Sequence, residues 1–186
     1  MRKFILHVLI ISFVFLLAAT ASYAGELEDA KEDVRNNPDD AWAHYNLGNA
    51  YGELGKNQEA IKSYKQAIRI DPDLAWAHGN LGLAYRKSGK YKEAIESHKQ
   101  AIRIDPDAAL EHNNLGIAYF ISDMYKEAIE SFKQAIRIKP DYADAHYCIG
   151  LAYVQINDRG SAMEQYKILK KLNTRLANDL FNVIYE

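Results

Sequence analysis

The sequence predicts an all-α protein, built as a solenoid of stacked helix–turn–helix repeats. One supporting observation is a period of 34 residues, which separates all four prolines: Pro38, Pro72, Pro106 and Pro140. Another is the spacing of apolar residues within each period, which follows one stripe of an α-helix. Finally, with 48% hydrophobic and 26% charged residues, the chain has enough apolar side chains for a packed body.

The first 24 residues have the layout of a secretory signal peptide. Arg2 and Lys3 make a short positive start, and residues 4–18 form an apolar run. Ser22 and Ala24 are small residues at the places that a cut after Ala24 requires. The alternative is an uncleaved membrane anchor, although the run is shorter than the ~20 residues that a bilayer span needs. In both cases we expect the rest of the chain outside the cytoplasm. It is periplasmic or secreted if the segment is cleaved, and membrane-anchored if the segment is not cleaved.

Helical hairpins account for the remainder of the chain. In the first complete repeat, Ala43, Leu47 and Ala50 fall on one helical stripe, and Gly55 ends that helix. A second stripe follows and is stopped by Pro72. Each hairpin exposes an apolar face that only a neighbouring hairpin can cover. The predicted segments are a signal peptide (1–24), a half-repeat helix (25–40), four repeats (41–74, 75–108, 109–142 and 143–176) and a C-terminal capping helix (177–186).

This repeat resembles the tetratricopeptide repeat. The residues that carry the resemblance in the first repeat are Leu47, Gly48, Tyr51, Ala60, Tyr64, Ala67 and Pro72. His98 and Phe132 take the aromatic place in the next two repeats, while Thr174 replaces the proline and Leu169 the second alanine in the fourth. The resemblance covers residues 41–176. It implies a right-handed superhelical solenoid whose first helices line a concave groove for a protein or peptide partner.

Composition and motifs exclude several function classes. A net charge of −2 argues against a nucleic-acid binder, which normally carries a basic excess. The single cysteine, Cys148, excludes an internal disulfide framework and a cysteine-based zinc site. After residue 24 there is no Gly-x-Ser-x-Gly elbow and no His-Glu-x-x-His pair. We therefore predict a protein that is not an enzyme and has no cofactor and no metal.

Four histidines recur at the repeat period: His44, His78, His112 and His146. Zinc holds its nitrogen ligands at about 2 Å, whereas packed helices lie roughly 8–10 Å apart. Equivalent histidines of successive repeats therefore cannot share an ion. We predict that they are packing wedges between helices, and the same for His98. A metal or cofactor carrier is the remaining alternative.

The resemblance also implies where a ligand binds. In the family, ligand contacts come from the second, fifth, sixth, ninth, twelfth and thirteenth places of each repeat. The partner-binding groove predicted on this basis consists of Trp42, Tyr45, Asn46, Asn49, Trp76, Asn80, Leu83, Arg86, Asn114, Ile117, Phe120, Ile121, Tyr147, Leu151 and Val154. Many are apolar although the fold does not require it, and exposed apolar surface often marks a partner site. The alternative is that the C-terminal helix folds back and fills the groove.

A row of asparagines occupies the sixth place, at Asn46, Asn80 and Asn114, and is broken by Cys148. Carboxamides offer a donor and an acceptor to an extended peptide backbone. The row resembles the asparagine ladder in the repeat domains of O-linked sugar transferases. The alternative is that these asparagines have a structural role and link neighbouring helices. Capture of a carboxylate tail is not expected, because Tyr45 and Asn114 stand where family members of that kind carry cations.

These observations predict an exported, non-catalytic adaptor that holds an extended or helical segment of another protein in its groove. A role in assembling an envelope complex is a candidate. The alternative is a structural protein that assembles with copies of itself into a homo-oligomer. No nucleic acid is expected as a partner, and membrane contact only if the N-terminal segment remains uncleaved.

Overall fold

The structure is a computed structural model that describes residues 25–186, so the predicted signal peptide lies outside the described residues. Every regular element in this part of the chain is an α-helix, which confirms the all-α prediction. None of these helices is both long and apolar enough to cross a bilayer. The helices are α1 (25–36), α2 (Ala41–Glu53), α3 (Asn57–Ile70), α4 (Ala75–Lys87), α5 (Tyr91–Ile104), α6 (Ala109–Ile121), α7 (Tyr125–Ile138), α8 (Ala143–Gln155), α9 (Arg159–Leu172) and α10 (Thr174–Tyr185).

The chain divides into two compact units, the first ending at Pro72 and the second beginning at Asp73. In the first unit, α2 and α3 pack as a hairpin. Ala43 of α2 and Ala60 of α3 are fully buried there, as small residues must be where two helices approach closely. The side chain of Leu27 on α1 is also buried.

The second unit consists of stacked hairpins. Helix α4 packs on α5, α6 on α7, and α8 on α9. Successive hairpins are joined by packing of α5 on α6 and of α7 on α8. Helix α10 packs on both α8 and α9, and it begins at Thr174, three residues before the predicted capping segment. Each hairpin thus buries its apolar face against the next element, as expected for a repeat protein.

A glycine in each first helix makes room for a large side chain. A Cβ atom on Gly116 would lie 2.5 Å from Cε1 of Phe132, so the ring of Phe132 packs directly on the backbone of α6. The fourth repeat differs, because Gly150 is covered by Leu180 of α10, whose Cδ2 would lie 2.5 Å from an added Cβ. The aromatic side chain of that repeat, Tyr166, packs instead against Phe181, with ring centroids 5.2 Å apart.

The turns inside the four hairpins share one backbone conformation. A residue with positive φ follows each first helix: Gly55 (69°), Gly89 (73°), Asp123 (59°) and Asn157 (60°). Glycine adopts this left-handed conformation without steric cost, and aspartate and asparagine tolerate it better than other residues. Of these four positions, only Gly55 was predicted from the sequence to end a helix.

Three of the four recurring histidines donate hydrogen bonds to the turns between repeats, a contact that the packing-wedge prediction did not include. In three repeats the Nε2–H group donates to a proline carbonyl: His44 to Pro38 (2.9 Å), His112 to Pro106 (3.0 Å) and His146 to Pro140 (2.9 Å). The bond closes the turn that precedes each first helix. Helical periodicity places a side chain on a face but does not reveal a polar partner in a loop. In residues 25–186, no group of three His, Cys, Asp or Glu side chains is arranged to hold a metal.

Candidate functional site

In the first unit, the predicted groove residues of α2 form an aromatic group. The indole of Trp42 is half exposed and meets Tyr45 edge to face, with ring centroids 5.4 Å apart. Tyr45 in turn lies 6.0 Å from Tyr64 of α3. The hydroxyl of Tyr64 donates to Oδ1 of Asn49 at 2.8 Å, so Asn49 supports the hairpin. Asn46 is exposed on the same helix.

In the second unit, two large apolar side chains flank a recess of about 200 Å³ formed by α4, α5 and α6. Trp76 begins α4 and is 62% exposed, and Leu110 begins α6 and is 50% exposed. Both occupy the second place of their repeats. The carboxylates of Asp105 and Glu111 also line the recess. Small side chains complete its walls: Ala75, Ala101, Ala108 and Ala109. We call Trp76, Leu110 and this recess the Trp76 surface.

The carboxylate of Glu111 is held in place by a buried histidine. The Nδ1–H group of His98, which is fully buried on α5, donates to Oε2 of Glu111 at 2.8 Å. The other oxygen of Glu111 approaches the backbone of α4 at Gly79, where an added Cβ would lie only 2.6 Å from Oε1. A side chain at position 79 would therefore displace the carboxylate. The prediction that His98 is a packing residue did not include this hydrogen bond.

Glu111 and His98 were absent from the predicted site, although the sequence carries a signal for both. The third place of the other repeats is alanine, at Ala43, Ala77 and Ala145. Glu111 is the one departure from alanine at that place, and His98 is the only aromatic-place residue that is neither Tyr nor Phe. Comparison of equivalent places would have shown both departures, but not that they meet.

The remaining groove residues of α4 and α6 are less exposed than Trp76 and Leu110. Leu83 and Arg86 are half-buried on α4. On α6, Ile117 and Phe120 are half-buried and pack against the core cluster around Phe132, whereas Ile121 is exposed. Repeat packing therefore already uses part of the apolar surface that the sequence assigned to a partner.

In the fourth repeat, α10 covers the predicted groove positions. Tyr147, Leu151 and Val154 are partly buried and pack against a cluster that α9 and α10 contribute. The buried members of this cluster are Ala162, Leu169, Ala177, Leu180 and Ile184. The alternative in which the C-terminal helix fills the groove therefore describes this end of the array, because α10 packs on α8.

The predicted asparagine row is not a continuous exposed ladder. Asn46 is exposed and Asn80 is half-buried, but Asn114 is only 6% exposed. Cys148 follows in the row, and burial raises the pKa of its thiol to about 12. The thiol therefore stays protonated near neutral pH and is a poor nucleophile.

Comparisons with known proteins agree with this architecture. The sequence profile described as TPR repeat matches residues 53–89, 82–123 and 120–157, and the profile described as tetratricopeptide repeat matches residues 34–62. A comparison with curated proteins gave no match.

Among solved structures, a crystal structure of MamA has a TM-score of 0.79 and 26% identity, covering 87% of this chain and 94% of that chain. YrrB, described as a TPR protein with an unusual peptide-binding site, has a TM-score of 0.75 and 22% identity, covering 92% and 90%. TTC0263, a thermophilic TPR protein of Thermus thermophilus, has a TM-score of 0.68 and 22% identity, covering 92% and 95%.

The matched residues extend from 34 to 157, the second unit shows consecutive helix-pair packing, and the solved structures match the chain at TM-scores of 0.68 to 0.79. The predicted solenoid fold is therefore confirmed. Repeat arrays of this kind are typically non-catalytic scaffolds that present extended surfaces to other proteins. The chain belongs to the tetratricopeptide repeat family.

Proposed function

We propose that this protein is a non-catalytic adaptor that binds a segment of a partner protein on the Trp76 surface. The observation that carries the proposal is the pairing of Trp76 and Leu110, both at least half exposed, at the two sides of one recess. Large apolar side chains with this exposure are unfavourable in water, and burial against a partner would remove that cost.

The chemistry of the surface suits a protein partner. Tryptophan is enriched among the residues that dominate binding energy in protein interfaces, because it buries a large area with few rotatable bonds. The recess beside it offers a place for one side chain of the bound segment. YrrB, which shares this fold, is described as carrying a peptide-binding site, so the fold is able to hold peptides.

The adaptor is proposed to act outside the cytoplasm, periplasmic or secreted, with assembly of an envelope complex as its role. The support is the sequence of residues 1–24, which combines a positive start, an apolar run and a small-residue cleavage site. Membrane anchoring applies if that segment is not cleaved. Cell fractionation with N-terminal sequencing of the recovered protein tests this assignment, and a cytoplasmic, uncleaved product would contradict it.

Replacing Trp76 with alanine is expected to weaken partner binding by about thirtyfold or more, which corresponds to the ~2 kcal/mol of an interface hot spot. The measurement is capture from envelope extract on the purified protein, quantified by mass spectrometry and followed by titration of the recovered partner. Tyr91→Ala is the matched control, since Tyr91 is an exposed aromatic residue on α5 that does not line the recess. Equal capture by both variants would contradict the proposal.

A second candidate function is self-assembly into a homo-oligomer. The observation that favours it is an aromatic stack on α9 and α10 in which two rings, Phe181 and Tyr185, are exposed. The ring centroid of Phe181 lies 5.2 Å from that of the half-buried Tyr166 and 4.6 Å from that of Tyr185. If this stack joins copies of the chain, light scattering will show an oligomer at micromolar concentration that Phe181→Ser converts to a monomer. A monomer before substitution would exclude this candidate.

A further inference from the structure

We propose that the recess of the Trp76 surface binds the side chain of an arginine carried by the partner segment. This inference rests on the proposed function and names the chemistry of the ligand that the surface recognises. It depends on the size of the recess, on the apolar side chains beside it and on the sign of the charges that line it.

The recess has the size for one side chain. Its volume of about 200 Å³ is below the ~300–1,000 Å³ that pockets for drug-sized ligands usually have. The alanine side chains of α4, α5 and α6 that line it are small enough to leave this space open. A single long side chain from a bound segment therefore fits better than an independent small molecule.

The apolar part of the recess suits the stem and the flat end group of arginine. Leu110 provides an aliphatic surface for the methylene groups, which long basic side chains bury while their charged end remains polar. Trp76 provides an indole face, the aromatic surface on which a guanidinium group stacks best. A lysine ammonium is a compact charge that does not stack in this way, so the surface favours arginine.

The polar part of the recess is negative. Asp105 and Glu111 contribute carboxylates, and no Lys or Arg is among the residues that line this recess in the described part of the chain. A carboxylate has about four acceptor positions, so Glu111 can accept further hydrogen bonds beside the one from His98. The several N–H donors of a guanidinium match acceptors of this kind and form charge-assisted hydrogen bonds with them.

The position of Glu111 is fixed before any ligand binds. His98 holds one oxygen at 2.8 Å, and Gly79 leaves the space that the other oxygen occupies beside α4. The side chain of His98 is fully buried in the hairpin core, so the carboxylate cannot turn away without breaking that bond. An acceptor that is already oriented costs less entropy when the ligand is bound.

Fluorescence anisotropy with labelled peptides tests the inference. The probe is a fluorescein-labelled alanine–serine peptide with one central arginine and blocked ends, titrated with the purified full chain. The comparison peptide carries citrulline, which has the shape of arginine without its charge. We expect saturable binding of the arginine peptide and binding about tenfold or more weaker for the citrulline peptide, because charge-assisted hydrogen bonds are lost. Equal binding of the two peptides would overturn the arginine assignment and leave partner binding at Trp76 intact.

Variants of the carboxylates provide the second measurement. Asp105→Asn and Glu111→Gln are each expected to weaken binding of the arginine peptide about tenfold while hardly changing that of the citrulline peptide. Glu93→Gln, on the exposed side of α5, is the matched control and is expected to bind as the unmodified chain does. Asp105→Asn keeps the test valid if Glu111→Gln disturbs the core at His98. The inference would also be overturned if the arginine peptide does not bind, or if it binds the carboxylate variants as tightly as the unmodified chain. The proposed function is tested separately, by partner capture with Trp76→Ala.

Discussion

Replacing Phe132 with alanine is expected to lower the free energy of unfolding by about 3–5 kcal/mol. The ring is fully buried and belongs to the core cluster that joins α7 with α8. It also lies directly on the backbone of α6 at Gly116, a residue that has no side chain of its own to fill the space. The cost therefore includes lost apolar burial and a cavity that the helices cannot close. Urea unfolding followed by circular dichroism measures this difference.

Phe181→Ala is the matched control, because it removes the same side chain from α10, where the ring is 39% exposed. Its ring contacts Tyr166 and Tyr185, so we expect a loss of about 1 kcal/mol from aromatic packing. A Phe132→Ala loss no larger than that of Phe181→Ala would contradict the role assigned to the buried ring. Because repeat arrays can unfold in parts, the comparison requires that both variants show a single transition.

Replacing Leu180 with alanine is the second large expected effect, a loss of about 2–5 kcal/mol. Leu180 is fully buried on α10 and covers Gly150 of α8. In the second and third repeats, the equivalent glycine is covered by the aromatic side chain of its own repeat. Its removal opens the cluster that α8, α9 and α10 share. The same unfolding experiment measures the change.

Leu172→Ala is its control, since Leu172 is 40% exposed at the end of α9. We expect a loss within about 0.5 kcal/mol for this exposed position. A second readout separates local from global loss: hydrogen exchange should accelerate first in α10 and α8 of the Leu180→Ala variant. If Leu180→Ala behaves as Leu172→Ala does, then α10 is not needed to cover α8.

The fold was predictable because its causes are periodic. Gly116 and Phe132 stand in places that recur every 34 residues, and each recurrence repeats the same steric requirement. The fourth repeat departs from this rule although its aromatic place is unchanged. Tyr166 occupies the usual aromatic place, yet Leu180 covers Gly150 because α10 packs on α8 as well as on α9. Such competition between two side chains for one place depends on tertiary packing.

The candidate site was predictable only where exposure follows from helical position. Trp76 lies on the exposed face that its place in the repeat indicated. Asn114 has an equivalent position to Asn46 but is buried, and its helix α6 packs against several neighbouring helices. The contact between His98 and Glu111 joins residues of two repeats, and no local pattern encodes which side chains face each other across that junction.

The pairing of His98 with Glu111 also means that neither of these two repeats can be deleted without loss of a buried contact. Tandem repeats of similar sequence invite unequal crossing over, in which one 34-residue unit is lost. Loss of residues 75–108 would leave Glu111 opposite Tyr64, without the imidazole that holds its carboxylate. Loss of residues 109–142 would leave His98 opposite Ala145, with a buried ring nitrogen and no acceptor. The second and third repeats are therefore matched to each other, even though each resembles an interchangeable module.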